Sequence, residues 1–303
     1  MGYLDLLISG ILFFIMLNVG LSLNARAFVV TLARPKAFVV GLSLQMIFLP
    51  LMAFVLVKMS SLPYAFKMGI LILSACPGGM TSNFISYLIN ANAALSIAMT
   101  VTNSFLGLLT VPLIINLALA HFMQEGALVQ LSFWDTVRQI FMITIVPVFI
   151  GMLIRRQRAD WAARVEQQLK WITILMLAVL FLIKFFAGQE HGGAGMSTEE
   201  VLLIFPYALL VNILGMSSGF IFGKMLGLSV DDQATIGIEV GIQNTSLAFL
   251  IAGTFLHNED MLKPALVYAM FTFFTAVGFG LLMKPHEARR LWQPIIHRSA
   301  TPR

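Results

Sequence analysis

Nine apolar stretches follow one another along this 303-residue chain: A, 6–24; B, 37–58; C, 63–90; D, 93–120; E, 133–154; F, 170–187; G, 200–222; H, 232–256; and I, 263–283. A helix needs about 20 mostly apolar residues to cross a bilayer, and each stretch is of that order. Composition agrees, with 59% hydrophobic and 11% charged residues, against about 45–50% and about 25% in soluble domains. No linker or low-complexity tract divides the chain, so it reads as one domain, 1–303: an all-α polytopic membrane protein with nine transmembrane segments. One cysteine, Cys76, leaves no disulfide framework and no Cys-based zinc site. Asp5, with no Lys or Arg before it, precedes segment A, which does not read as a signal peptide.

Lys and Arg accumulate in cytoplasmic loops. With the A–B loop inside, that side collects Arg26, Arg34, Lys36, Arg155, Arg156, Arg158, Arg164, Lys170, Lys224, Lys284, Arg289, Arg290, Arg298 and Arg303, fourteen of the nineteen. The other side has Lys58, Lys67, Arg138, Lys184 and Lys263. The expected topology is therefore amino terminus outside and carboxyl terminus in the cytoplasm, in a cytoplasmic (inner) cell membrane. The net charge of +5 is explained by this asymmetry and by attraction to anionic lipid headgroups, and nucleic acid is not expected as a partner.

Two segments are interrupted. Segment C carries Cys76-Pro77-Gly78-Gly79-Met80-Thr81-Ser82-Asn83, and segment H carries Glu239-Val240-Gly241-Ile242-Gln243-Asn244-Thr245-Ser246. Pro77-Gly78-Gly79 opposes a continuous helix by roughly 5 kcal/mol on host–guest scales. Irregular backbone at membrane depth is tolerated only where protein buries it or it lines a cavity. Gly79-Met80-Thr81-Ser82-Asn83 with Tyr87-Leu88-Ile89 aligns with Gly241-Ile242-Gln243-Asn244-Thr245 with Phe249-Leu250-Ile251, at an offset of 162 residues. The same offset carries A, B and D onto F, G and, more loosely, I, while E has no partner. C is the third crossing and H the eighth, so the two run in opposite directions. Paired broken helices in an inverted-topology repeat are the sequence pointer to a secondary transporter's binding site.

Glu239 alone among fourteen carboxylates lies deep inside an apolar segment, with no Lys or Arg at its depth. A charge at the bilayer centre costs about 2.5–3.5 kcal/mol on insertion scales and calls for a partner. A cation or a proton remains. Hard cations take several oxygen ligands, and the breaks offer them: Ser82 and Asn83 after the first turn, Ser96 and Thr100 four apart on one face of D, Gln243 and the carbonyls of Val240 and Ile242 beside Glu239, and Gln45 in the middle of B. Sodium fits such a set better than magnesium or calcium, which want more carboxylate charge. Where a helix restarts, its first N–H groups suit an anion. Met80, Thr81 and Ser82 stand at one restart and Asn244, Thr245 and Ser246 at the other, giving Met80, Thr81, Asn244, Thr245 and Ser246 as candidate substrate contacts.

Two other readings stay open at this stage. Glu239 can serve a proton-coupled organic-anion carrier. Gly215-Met216-Ser217-Ser218-Gly219 matches the G-x-S-x-G nucleophile motif and would make Ser217 an intramembrane serine enzyme. The motif needs a strand–turn–helix context, however, whereas here it lies in an apolar helix with Gly223 one turn on. All five histidines (121, 191, 257, 286 and 297) fall in loops or tails, and Gly215, Gly219 and Gly223 form a small-residue packing ridge.

Ala75–Asn83, Ala94-Leu95-Ser96-Ile97-Ala98-Met99-Thr100 and Ile238-Glu239-Val240-Gly241-Ile242-Gln243-Asn244 together resemble the bile acid:sodium symporter family and its bacterial organic-anion relatives, over nearly the whole chain. The resemblance implies two sodium sites behind two crossing broken helices. The first falls on Ser82, Asn83, Ser96, Thr100 and Glu239, and the second on Gln45, Glu239, Val240, Ile242 and Gln243. It also implies a core (37–120 and 200–283) moving against a panel (6–24 and 133–187) in alternating access, with a small organic anion, steroid-like or a small carboxylate, imported with sodium. Ten-helix members have an extra amino-terminal helix, which would account for the unpaired segment E.

Overall fold

The computed structural model describes residues 3–22, 35–122, 132–187 and 193–287. All regular structure among them is helical. Helix α1 is Tyr3–Ser22, α2 Pro35–Met59, α3 Tyr64–Ala75, α4 Met80–Leu88, α5 Ala93–Phe122 and α6 Phe133–Gln157. Helix α7 is Ala159–Phe186, α8 Thr198–Met225, α9 Val230–Gly241, α10 Thr245–Phe249 and α11 Glu259–Met283. Each apolar stretch thus coincides with a helix or a helix pair. Among the described residues seven spans are long and apolar enough to cross a membrane, and the bent pair α3–α4, counted as one span, makes an eighth. The apolar part of α1, Leu6–Ser22, is shorter; residues 23 and 24 of segment A lie outside the described residues, as do Arg26, Arg34, His191, Arg289, Arg290, His297, Arg298 and Arg303.

Local chemistry explains the boundaries. Ser197 caps α8 in a reciprocal capping box with Glu200, and Ser229 and Asn258 cap α9 and α11 through their side chains. Two one-turn π-helical segments, Leu44–Phe48 in α2 and Phe141–Ile145 in α6, each come just before a proline, Pro50 and Pro147. A proline clashes with the carbonyl four residues back, which is Met46 or Ile143 here, and the wider turn makes room. A third π turn, Leu250–Phe255, extends α10. Helix α7 starts at residue 159 rather than near 170, because the polar run before the apolar stretch is also helical. His121 lies in the last turn of α5 rather than in a loop, since α5 runs two residues past the apolar stretch.

Packing divides the helices. Helix α1 packs chiefly on the second half of α6 and on α7, whereas α3, α5, α8, α9 and α11 pack mainly on one another. At the centre is α9 with α10. In its most apolar stretch 89% of residues are buried, against 17–39% in the other long spans. One end of the molecule gathers basic anchors: Lys36 donates to the Leu226 carbonyl, Arg155 to that of Leu21, and Lys284 to that of Asn90, each at 2.5 Å. At the other end Lys184 pairs with Glu259 at 2.7 Å, and Lys263 with Glu200 at 2.6 Å and Asp260 at 2.7 Å.

Candidate functional site

The two interruptions meet. Helix α3 stops at Ala75, the chain runs extended through Cys76, and α4 restarts at Met80 with its axis bent by 58°. Helix α9 continues through Glu239 and Val240 to Gly241, so the second break is shorter and later than the sequence suggested, confined to Ile242, Gln243 and Asn244. The backbone N–H of Asn244 donates to the Pro77 carbonyl at 2.9 Å, tying one break to the other. Proline supplies no donor, and here its free carbonyl is taken by the partner break.

The Glu239 carboxylate is wholly buried and, among the described residues, has no ion-pair partner. Hydroxyls hold it instead. Thr100 Oγ1 donates to Oε1 at 2.5 Å and Ser96 Oγ to Oε2 at 3.0 Å. The same two hydroxyls lie 3.2 and 2.7 Å from Asn83 Oδ1. Their four-residue spacing on α5 puts them side by side. Two acceptor groups, one charged, thus share two hydroxyls, and each hydroxyl has only one proton to give. Oxygen atoms outnumber the protons between them, the arrangement a hard cation completes. Ser82 Oγ, also fully buried, points back to the Gly79 carbonyl at 2.6 Å. Gly78 has no room for a side chain: a Cβ there would run into Glu239 Oε1 and lie 3.2 Å from the Glu239 carbonyl oxygen.

A second cluster lies beside it. Gln45, placed in the π turn of α2, donates to the Cys76 carbonyl at 3.0 Å and to Gln243 Oε1 at 2.8 Å, while Gln243 donates to the Val240 carbonyl at 2.6 Å. The Val240 carbonyl is therefore engaged rather than free. Gln45 Oε1 is buried without a hydrogen-bond partner among the described groups. An orphaned buried oxygen costs stability unless something fills the place, and it fits a cation ligand.

The candidate substrate residues also converge. Met80, Thr81, Asn244, Thr245 and Ser246 line one cavity of about 80 Å³, closed on the other side by Ile15 of α1 and Thr173, Ile174 and Leu177 of α7. The two restarts differ, however. Asn244 Oδ1 accepts from the Leu247 N–H at 3.0 Å, capping its own helix, whereas α4 has no side-chain cap. The first N–H groups of α4 are the ones left for an anion.

Sequence reasoning passed over one cluster. The Gly241 carbonyl accepts from Asn212 Nδ2 at 2.6 Å and from the Tyr268 hydroxyl, and Asn212 also lies 3.3 Å from Thr272 Oγ1. Asn103, one turn beyond Thr100, is wholly buried with neither amide atom paired among the described residues. Uncharged polar residues in apolar helices usually mark helix–helix contacts, and no sequence signal set these apart. The Gly215–Gly219–Gly223 ridge packs directly on α9: a Cβ on Gly215 would lie 2.7 Å from the Val240 carbonyl oxygen, and one on Gly219 would meet the Gly237 backbone.

A sequence model of the Sodium Bile acid symporter family matches residues 10–191. This chain belongs to that family. It is 28% identical over 252 residues to the probable sodium/metabolite cotransporter BASS1 of Arabidopsis thaliana, covering 83% of this chain and 60% of that protein. It is 28% identical over 238 residues to the sodium-dependent transporter YocS of Bacillus subtilis (78% of this chain, 71% of that protein). It is 27% identical over 285 residues to the human ileal sodium/bile acid cotransporter (91% and 78%). The chain thus spans only about three fifths of the length of the BASS1 protein. The family is one of transporters, not enzymes, and Ser217 lies in the interior of the continuous helix α8, not in a strand–turn–helix.

Proposed function

We propose that the chain is a sodium-coupled secondary symporter that imports an organic anion by alternating access. The observation that carries this reading is Glu239: a buried carboxylate without a cationic side chain, inside an oxygen shell, at the contact between two interrupted helices. Ser82, Asn83, Ser96, Thr100 and Glu239 form a first sodium site; Gln45, Glu239, Val240, Ile242 and Gln243 form a second. Sodium is a co-substrate here. Its charge offsets that of Glu239, and its ligands come from both breaks, so binding it holds the crossing in one geometry. The anion then has a fixed surface to meet, Met80 and Thr81 at the open end of α4 with Thr245 and Ser246 opposite.

In this reading all nine helical segments span a cytoplasmic membrane, amino terminus outside and carboxyl terminus inside. The halves containing α3–α4 and α9–α10 form an inverted repeat. The core is 37–120 and 200–283 and the panel is 6–24 and 133–187, which agrees with the separate packing of α1, α6 and α7. The cavity between them, about 80 Å³, is large enough only for several waters. A steroid-sized or even a small carboxylate anion needs core and panel to part. The names of the relatives support both sizes of anion, bile acid and smaller metabolite.

The test is thermal unfolding of the purified protein in detergent, titrated with NaCl against KCl at matched ionic strength. A ligand confined to the folded state stabilises it by about 2.7 kcal/mol at a hundredfold excess over Kd, so a sodium-specific upward shift is expected. Identical sodium and potassium curves would overturn sodium coupling and leave a proton on Glu239 as the coupling ion.

A further inference from the structure

We infer that Lys170 binds the negatively charged group of the transported anion at the basic-end mouth of the cavity, and that Phe84 holds the ammonium there until the anion arrives. The inference rests on the organic-anion reading and adds the residue that recognises the charge.

Among the described residues no titratable side chain lines the cavity. The nearest buried charge, Glu239, has the wrong sign for an anion. Beyond the N–H groups at the start of α4, a cationic partner for the anion has to come from the rim. On α7, Thr173, Ile174 and Leu177 face the cavity, and Lys170 lies three and four residues before the first two, so it shares their face one turn towards the basic end. On α4, Met80 lines the cavity and Phe84 lies four residues on, one turn towards the same end. The two residues meet across the mouth, with Lys170 Nζ 4.2 Å from the centre of the Phe84 ring. Asn18 of α1 faces this stretch of α7: with its amide turned so that oxygen and nitrogen exchange places, it accepts from the Lys170 N–H and donates to the Glu166 carbonyl, each at 3.2 Å.

Lys58, Lys67 and Lys224 also lie over phenylalanine rings, at 5.6–5.9 Å, but none of them neighbours a residue lining the cavity, and the buried lysines are held differently. The buried ones, Lys184, Lys263 and Lys284, each hold carboxylates at 2.6–2.7 Å. Lys170 has none among the described residues. Glu166, one turn back on its own helix, leans instead to Arg155 at 3.7 Å. An ammonium resting on a ring face is held by the ring quadrupole, and a charge-assisted hydrogen bond to a carboxylate or sulfonate is the stronger contact. An anion passing from the cavity towards the basic end takes the lysine from the ring, and the same exchange frees α4 from α7, joining the passage of the anion to the parting of core and panel.

The experiment measures thermal shifts of the full-length protein in saturating NaCl with three probes, taurocholate, pantoate and pyruvate, followed by a Kd titration with whichever shifts wild type most. Lys170→Met is expected to weaken that anion by at least about tenfold and to leave the sodium-specific shift unchanged. Lys170→Arg should restore most of the affinity, and Phe84→Leu should bind the anion as tightly as wild type or more so. Wild-type affinity in Lys170→Met overturns the assignment, and so does loss of the sodium shift in that variant, which would mark the lysine as structural. A sodium shift in wild type with no response to any of the three anions overturns the organic-anion reading itself and the assignment with it.

Discussion

The two interrupted helices reach the same outcome, open backbone at the middle of the protein, by opposite means. The first break is written into the main chain: Pro77 has no N–H, Gly78 and Gly79 lower helix propensity, and the axis turns by 58°. Its carbonyls are handed to other elements, Cys76 to Gln45 and Pro77 to the Asn244 N–H, and the restarting α4 has no side-chain cap. The second break has no proline. Helix α9 runs straight on into α10 closely enough for Val230–Phe255 to form one 26-residue span, and side chains hold the gap open. Asn244 caps α10, Gln243 takes the Val240 carbonyl, and Asn212 with Tyr268 takes that of Gly241. A break encoded by backbone chemistry leaves its helix end free for a ligand. One encoded by side chains uses up its own groups, and it contributes the charge, Glu239, instead.

That division of labour predicts the largest effect at Glu239. Glu239→Gln keeps the shape and most hydrogen-bonding capacity but removes the one formal charge at the crossing. Two unit charges 4 Å apart at an effective dielectric near 20 are worth about 4 kcal/mol, so sodium affinity should fall by roughly two to three orders of magnitude. A sodium titration of thermal unfolding reads it directly. A variant that kept its sodium shift would move the charge partner away from the second break and undo the comparison.

Within the first break two neighbouring glycines should behave differently. A Cβ on Gly78 meets the Glu239 carboxylate, whereas one on Gly79 finds nothing nearer than Asn244 Cβ at 4.0 Å, on extended backbone open to any residue. Gly78→Ala overpacks the site, at a cost of about 1–3 kcal/mol, and pushes the carboxylate off Ser96 and Thr100, so sodium affinity falls with stability. Gly79→Ala should leave both within error. Equal effects at the two positions would mean that flexibility of the turn, rather than close approach to Glu239, is what the glycines supply.

Much of this was legible in the sequence, for physical reasons that also mark where legibility ended. Pro77-Gly78-Gly79 and a carboxylate in an apolar run are costly in lipid, so their presence alone demanded a reason. Ser96 and Thr100 followed from helical spacing, and the structure brings both to Glu239 and Asn83. Hydropathy does not register a π turn, so the placement of Gln45 within one was hidden. Asn244 read as a substrate contact, yet its side-chain oxygen caps α10, which depends on where the break ends and not on composition. Lys170 counted only towards topology, since nothing in the sequence says that its helix faces Phe84. Asn212 and Tyr268, 29 and 27 residues from Gly241, carried no signal at all.

Those last two residues set the smallest test. Tyr268→Phe removes one of the two donors to the Gly241 carbonyl and leaves Asn212 in place. Hydrogen bonds between membrane helices average about 0.6 kcal/mol, so unfolding should shift only slightly. Asn212→Ala should cost more, because Asn212 also reaches Tyr268 at 3.1 Å and Thr272. The informative quantity is sodium affinity in the double variant. If side chains hold the second break open, removing both donors strands a buried carbonyl and lets Gly241–Ile242 relax towards continuous helix, weakening sodium more than the two single changes combined. Sodium affinity that simply adds across the variants would mean that the second break, like the first, is fixed by its own backbone.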